Sequence, residues 1–380
     1  MLGVSAGLFR SYVCGITPYD ATHLGHAATY VTFDLVHRYL LASGREIEFV
    51  ENITDIDDPL FERANRDHLN WRELADSQVS LYESDMTALR VLPPKNYEGV
   101  VENMPIIIDS ISKLVERGFT YSLDGDLYFD LQLGDPNFSA LPLPLDDALA
   151  IFSQRGGDPD REGKHHPLDP ILWRRSNLGE PEWATKFGSG RPGWHIECVA
   201  IALHFLKSSP TSSISLQGGG ADLIFPHHYM TSIQAKALTD KTFAEIYAHC
   251  GMIGLDGEKM SKSKGNLVFV STLLRDGHNP GAIRMALISR HYREDLMWSE
   301  DVLASAESRI DRIAINLARE SVAPTEPVIE RLIASLSNDL DTVSALERID
   351  LWCDETEQGL TGGTPGELAR ALDLYLGLAL

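Results

Sequence analysis

Across 380 residues, 55 acidic side chains outweigh 33 basic ones, and a net charge of −22 puts any general nucleic-acid-binding role at a disadvantage, because such binding rests on neutralising phosphates. A hydrophobic content of 43% suits a globular chain long enough for two or three domains, whereas no apolar run approaches the roughly 18–20 residues of a membrane helix. The opening "MLGVSAGLFRSYV" is too short and too weakly basic for an export signal, and Cys14, Cys198, Cys250 and Cys353 are too scattered for a disulfide framework, so a reducing cytoplasm is expected.

In chain order, "SYVCG" predicts a short strand ending at Gly15. A helix follows, with Ala28, Val31, Leu35 and Tyr39 near helical spacing and Gly44 as its stop. "EIEFVENITD" is a second strand, and strand–helix–strand at this spacing favours a parallel sheet and an α/β fold. "NWRELADSQVSLYESDMTAL" is helical and "VLPPKNYEG" breaks the pattern. Residues from about 100 to 190 look inserted: a helix "MPIIIDSISKLVERG", a hairpin candidate "FTYSLDGDLYFDL" and a loop rich in Pro, Gly and Asp. "WHIECVAIALHFL" resumes as a helix, "SISLQGGGAD" as a strand with a glycine turn, and "FPHHYMTSIQAKAL" as a helix. "IYAHCGMIGLDGEKMSKSKGN" gives a strand pair and a polar loop. Everything beyond about Asn279 reads as helices, with a linker at "SVAPTEP" and a break at "GLTGGTPG". The expected division is a nucleotide-binding first half over 1–98, an inserted connective region over 99–190, a second half over 191–278 and a helical C-terminal domain over 279–380.

Three stretches carry chemistry. In "HLGH" a strand-to-helix turn offers backbone N–H groups and the positive end of a helix dipole to an anion. His23 and His26 could donate to phosphate oxygens there, and Gly25 removes a side chain that would block a nucleotide. "KMSKSKGN" brings Lys259, Ser261 and Lys262 together in a polar loop suited to clamping a triphosphate. In "GGGADLIFPHH" the glycines, Gly220 among them, let backbone lie against an adenosine, and Asp222 could accept from ribose hydroxyls. A histidine-bearing helix start or a lysine-rich loop is by itself ordinary surface. Together they resemble the signature of class I aminoacyl-tRNA synthetases, whose chemistry is attack of a carboxylate on the α-phosphate of ATP.

The wider set, "YVCG…YDATHLGHA", "NITDIDDP", "LWRRSNLGEPEW", "GRPGWHIEC", "QGGGADLIFPHH" and "GEKMSKSKGN", resembles cysteinyl-tRNA synthetase and its smaller relative, the mycothiol-pathway ligase, from Tyr12 to about Trp298. The resemblance implies a Rossmann-type nucleotide-binding domain with an inserted connective domain and a C-terminal helical bundle. It also implies one Zn2+ per chain, held by Cys14, Cys198 and His227, with ATP as substrate accompanied by Mg2+. Zinc binds thiolate and imidazole well, and three protein ligands leave a position for the substrate thiolate, which serine cannot match. Gly15, Thr17, Asn52, Thr54 and Trp194 lie in motifs flanking a metal ligand or the second strand's end and are candidates for orienting cysteine. Thr54 could equally cap a helix at "TDIDD", and Trp194 could pack the core. His23, His26, Lys259 and Lys262 would stabilise charge on the phosphates. Asp55, Asp57 and Asp58 could meet an acceptor's ammonium group or serve only as helix-start charges, and Cys250 and Cys353 read as structural.

Where the synthetase carries a glutamate four residues after the first histidine of the pair, this chain has Thr231, a poor zinc ligand, with Tyr229 two places earlier. Pro18 within "CGITPYDATHLGHAATY" also leans towards the ligase, as does the short region after Trp298, which offers no basic surface for an anticodon stem. Only about ten residues precede the first strand, fewer than in the relatives. The expected activity is formation of cysteinyl-AMP from L-cysteine and ATP, then amide formation with the amine of glucosaminyl-inositol. Expected partners are these small molecules, with no nucleic acid and no membrane, the enzyme acting as a monomer. The alternatives are a short cysteinyl-tRNA synthetase, a catalytically silent nucleotide- or zinc-binding paralogue, and a ligase for another amine.

Overall fold

The computed structural model describes residues 7–380 apart from 21, 178, 207–211, 256 and 261–264. Five parallel strands form its central sheet, in the order Thr242–Cys250, Ser212–Gly220, Phe9–Ile16, Ile47–Ile53 and Asn96–Gly99. Ser212–Gly220 is buried along its whole length, as expected for a parallel strand covered on both faces. Phe9–Ile16 pairs with Ile47–Ile53 on one side and with Ser212–Gly220 on the other, so the strand order reverses there. In open parallel sheets a ligand binds at the carboxyl ends of the strands beside such a reversal. Cys14 and Gly220 both lie at that edge.

The first crossover helix, Leu24–Ala42, buries Leu24, Ala27, Ala28, Val31, Phe33 and Leu35. Close packing on the sheet demands Gly218, because a Cβ there would fall 2.4 Å from the Phe33 ring. The region read as inserted opens with the helix Met104–Glu116 and the hairpin Thr120–Leu123/Asp126–Phe129. Its turn residues Asp124 and Gly125 have φ of 51° and 91°, the left-handed pair that an Asp-Gly hairpin favours. Ile171–Arg174, Gly188–Pro192 and Trp183–Thr185 complete this second sheet. Its exit leads straight into the helix Trp194–Phe205, which carries Cys198.

Pro280–Ile288, Glu300–Leu317, Glu326–Ser337, Thr342–Glu357 and Pro365–Leu376 form the C-terminal helices, packed around Ile313, Leu332, Ile349 and Trp352. Buried Arg284 ties them to the sheet domain: its guanidinium pairs with Asp34 and donates to the carbonyls of Leu376, at 2.5 Å, and Leu89, at 2.9 Å. A charge so deeply buried persists because each of its three nitrogens has a partner. Among the described residues no helix is long and apolar enough to cross a membrane.

Several elements depart from the sequence reading: the helix Leu145–Gln154 and the strands Ile171–Arg174, Trp183–Thr185 and Gly188–Pro192 lie in the stretch read as a loop rich in Pro, Gly and Asp, and two further strands are unexpected. Asn96–Gly99 lies in the stretch read as a break, and Leu296–Trp298 interrupts a region read as all helical. Each is a short edge segment whose only strand pairing is to a distant partner, Ile47–Ile53 and Ile253–Leu255 respectively. Local periodicity cannot announce such pairing.

Candidate active site

A cavity of about 650 Å³ opens at the carboxyl ends of the central strands, and Cys14, His23, His26, Asp57, Trp194 and Asp222 contribute to its walls. Phe9–Ile16 brings Cys14 to it, the helix after the inserted sheet brings Cys198, and the turn after Ser212–Gly220 brings His227. The metal-ligating atoms of these three buried residues all lie within 4.8 Å of one another.

The state of His227 indicates what this group is built to hold. Its Nδ1 lies 2.9 Å from Nδ1 of His195, whereas its Nε2 is buried with no hydrogen-bond partner. Burial holds the ring's pKa well below 6.5, so it is neutral at pH 7 with a lone pair to offer. The indole of Trp194 stacks on it, centroid to centroid 4.3 Å at 20°. Cys198 has its thiol pushed well up by its hydrogen bond to Cys14 and by burial. A divalent cation reverses that preference by stabilising thiolate. Two sulfurs and an orphaned imidazole nitrogen, shielded from water, fit a borderline-soft ion. Sγ of Cys14 also lies 3.3 Å from Nε2 of His228, whose Nδ1 is 2.8 Å from Nε2 of His249. The hydroxyl of Thr231 is engaged elsewhere, accepting from Gln217 at 3.1 Å and donating to the carbonyl of His228 at 3.0 Å.

The residues expected to orient cysteine divide into two sets. Gly15, Thr17 and Trp194 line the cavity; Asn52 and Thr54 are buried and do not. Asn52 instead fixes the wall. Its Oδ1 accepts from the Gly15 amide and the Tyr12 hydroxyl, each at 2.9 Å, and its Nδ2 donates to Thr54 at 3.0 Å. Gly15 is required because a Cβ would sit 1.5 Å from the carbonyl oxygen of Asn52.

His23 caps the helix Leu24–Ala42, its Nδ1 accepting from the Gly25 amide at 3.1 Å, and its ring stacks on His26 at 3.8 Å. Backbone bonds from Leu24 to the Val268 carbonyl (2.9 Å) and from Val270 to the Thr22 carbonyl (3.0 Å) tie this turn to the segment following the lysine loop. Lys259 lies on a short strand, its backbone paired with Gly254, while Ser261 and Lys262 fall outside the described residues. Gly220 and Asp222 line the cavity, and Arg155, from the end of a helix in the inserted region, reaches Asp222 at 3.2 Å.

Of the acidic trio, Asp55 lies off the cavity wall and accepts from the Val101 amide at 3.0 Å. Asp57 caps the helix Asp58–Asp67, and burial pushes its carboxyl up to about 6. Asp58 is clasped by Arg174, at 2.9 and 3.1 Å, and by Arg191. Arg155, Arg174, Arg191 and His195 all line the cavity, yet sequence reasoning passed over them. All but Arg155 sit inside motifs already singled out, where charge was the only signal.

Residues 3–308 match the family of class I tRNA synthetase (C) catalytic domains. The L-cysteine:1D-myo-inositol 2-amino-2-deoxy-alpha-D-glucopyranoside ligase of Gordonia bronchialis is 50% identical over 376 residues, covering 97% of this chain and 90% of that protein. The protein of the same name from Streptomyces griseus is 50% identical, covering 98% and 91%. Among solved structures, Mycobacterium tuberculosis methionyl-tRNA synthetase with methionyl-adenylate aligns at a TM-score of 0.67 and 15% identity, over 93% of this chain and 83% of that one. A LeuRS of Agrobacterium radiobacter aligns at 0.71 and 12% identity, over 100% and 85%. At such identity these two likenesses carry the fold alone.

Proposed function

Since the chain belongs to the family of class I tRNA synthetase (C) catalytic domains, we propose from that premise that it is an ATP-dependent carbon–nitrogen ligase joining L-cysteine to the amine of glucosaminyl-inositol, a step of mycothiol biosynthesis. The cysteine carboxylate attacks the α-phosphate of ATP, which enters as its magnesium complex, and pyrophosphate leaves. The amine then attacks the carbonyl of the cysteinyl adenylate, forming the amide and releasing AMP.

The observation that carries the reading is the meeting of Cys14, Cys198 and the orphaned Nε2 of His227 beside a cavity that also holds the HLGH histidines. These three residues would hold zinc, which would supply a thiophilic position suited to the substrate's sulfur as thiolate rather than to the harder oxygen of serine. The chain's own residues do the rest by placement and charge. Trp194, stacked on His227, and Gly15, pinned by Asn52, shape the wall where the amino acid lies. His23 and His26, at the positive end of a helix, face the phosphates. Lys259 and Lys262 stabilise the departing pyrophosphate, Ser261 contributes to that loop, and Gly220 with Asp222 holds the nucleoside. With a net charge of −22, the acceptor is a small molecule rather than tRNA.

Purified protein is expected to hold about one zinc per chain, weakened at least 10- to 100-fold in Cys198→Ala, with parallel loss of cysteine-dependent exchange of pyrophosphate into ATP. A metal-free preparation that still activates cysteine in preference to serine refutes the selection mechanism. Charging of tRNA without amide formation from the aminosugar refutes the assigned acceptor.

A further inference from the structure

Asp57 and Asp58 stand side by side on the cavity wall, yet among the described residues only Asp58 forms ion pairs. Asp58 receives two guanidinium groups, from Arg174 and Arg191, and these also reach Glu180 at 3.4 and 3.3 Å. Asp57 is held by hydrogen bonds alone: its Oδ1 accepts from the Asp58 amide at 2.8 Å and its Oδ2 faces the Thr17 hydroxyl at 3.5 Å. Among the described residues no cation forms an ion pair with it. A half-buried carboxylate that is oriented, faces a substrate cavity and, among the described residues, feels a cation only through the nearby Arg191 charge without pairing to it is suited to a cation that arrives with substrate.

We propose that Asp57 is the catalytic base of the acceptor half-reaction, receiving the ammonium of the aminosugar and removing the proton that blocks its attack on the adenylate. This rests on the ligase reading above. An ammonium group has no lone pair, so one proton passes to the Asp57 carboxylate before the nitrogen attacks. The C–N bond then forms, and the bond between the carbonyl carbon and the phosphate oxygen breaks with its electron pair going to AMP. The second proton, shed as the tetrahedral centre collapses, leaves with the departing phosphate. The α-ammonium of cysteine needs no such deprotonation, which favours the acceptor as the partner of Asp57. Arg174 and Arg191, immediately beside it, present donors suited to a polyhydroxylated molecule.

The surroundings of Asp57 support this role. Burial raises its carboxyl to about 6; the Asp58 amide, Arg191 and Thr17 work against that rise, and the Asp58 charge adds to it. The other groups facing it are the Tyr19 phenol, from the loop after the first strand, and Glu197, from the helix Trp194–Phe205. At pH 7 the carboxylate is therefore ionised, yet more basic than one on the surface.

The test uses Asp57→Ser and Asp57→Asn, both of which keep a good helix cap and so preserve the fold while removing the base. In each variant, cysteine-dependent pyrophosphate exchange is expected within about threefold of wild type. Amide formation with glucosaminyl-inositol is expected to fall at least about 100-fold, with loss of the acid limb near pH 6. Hydroxylamine, neutral at pH 7, should capture the adenylate equally well in variant and wild type. Amide formation within threefold of wild type overturns the proposal. Loss of exchange in step with amide formation also overturns it, placing Asp57 on the cysteine. Failure of the wild-type enzyme to exchange pyrophosphate, or to use the aminosugar, refutes the ligase reading instead.

Discussion

Glu51 offers a quantitative test of how the second strand is held. Its carboxyl, on Ile47–Ile53, is buried and accepts from the Tyr82 hydroxyl at 2.7 Å; Tyr82 in turn packs edge-on against Tyr30 and Tyr97. Burial pushes the carboxyl from 4.5 up to about 8, the Tyr82 hydrogen bond opposing the shift only in part. Below pH 4.5 the group is protonated in both folded and unfolded chains, so it carries no penalty. Between 4.5 and about 8 the unfolded chain ionises while the folded one keeps its proton, and stability falls by about 1.4 kcal/mol per pH unit. The accumulated penalty is on the order of 3 kcal/mol at pH 7 and just under 5 kcal/mol at pH 8, where it levels off. Glu51→Gln keeps the shape and an acceptor for Tyr82 but cannot ionise. The variant should therefore match wild type near pH 4.5 and exceed it by about 3 kcal/mol at pH 7. Thermal and urea unfolding of both proteins at pH 5, 6, 7 and 8 checks this. A difference that does not grow with pH, or a variant less stable than wild type at pH 8, refutes the assignment of a neutral buried carboxyl.

Asn52→Ala removes the acceptor for the Gly15 amide and the Tyr12 hydroxyl and the donor to Thr54. Leaving such buried partners unmatched should cost about 2–4 kcal/mol in urea unfolding, with at least a tenfold rise in KM for cysteine in the exchange assay. Arg155→Ala breaks the Arg155–Asp222 pair, in which both side chains are about one-third exposed. Stability should change by less than about 1 kcal/mol. KM for ATP should move by less than threefold if Arg155 simply yields Asp222 to the ribose; a rise beyond tenfold would mean that Arg155 itself grips the nucleotide.

Much of the fold was legible in the residues. The Asp124–Gly125 turn and the breaks around Gly44 and "SVAPTEP" all act over a few neighbouring positions, and the elements they bound form where expected. Patterned apolar residues announced the strand–helix–strand opening and hence the parallel sheet. "HLGH" lies on the cavity wall because the motif is itself a strand-to-helix turn.

Other features depended on chain segments far apart. Asn96–Gly99 has residues poorly suited to a strand and becomes one only because Ile47–Ile53 offers an open edge. The triple glycine, read as room for adenosine, proves divided: Gly218 accommodates Phe33, Gly219 faces Leu223 and His228, and Gly220 reaches the cavity. Asn52 and Thr54, read as contacts for cysteine, are linked to each other behind the cavity wall, where Asn52 also holds the Gly15 amide, an arrangement their motif alone does not reveal. Local spacing could encode helices, turns and caps because their energies come from neighbours a few residues away. The meeting of Cys14, Cys198 and His227, expected only through the resemblance of their motifs, depends on three remote elements. The neutral state of Glu51 and, among the described residues, the lack of an ion pair to Asp57 arise from burial and from partners on remote elements, so only the assembled structure decided them.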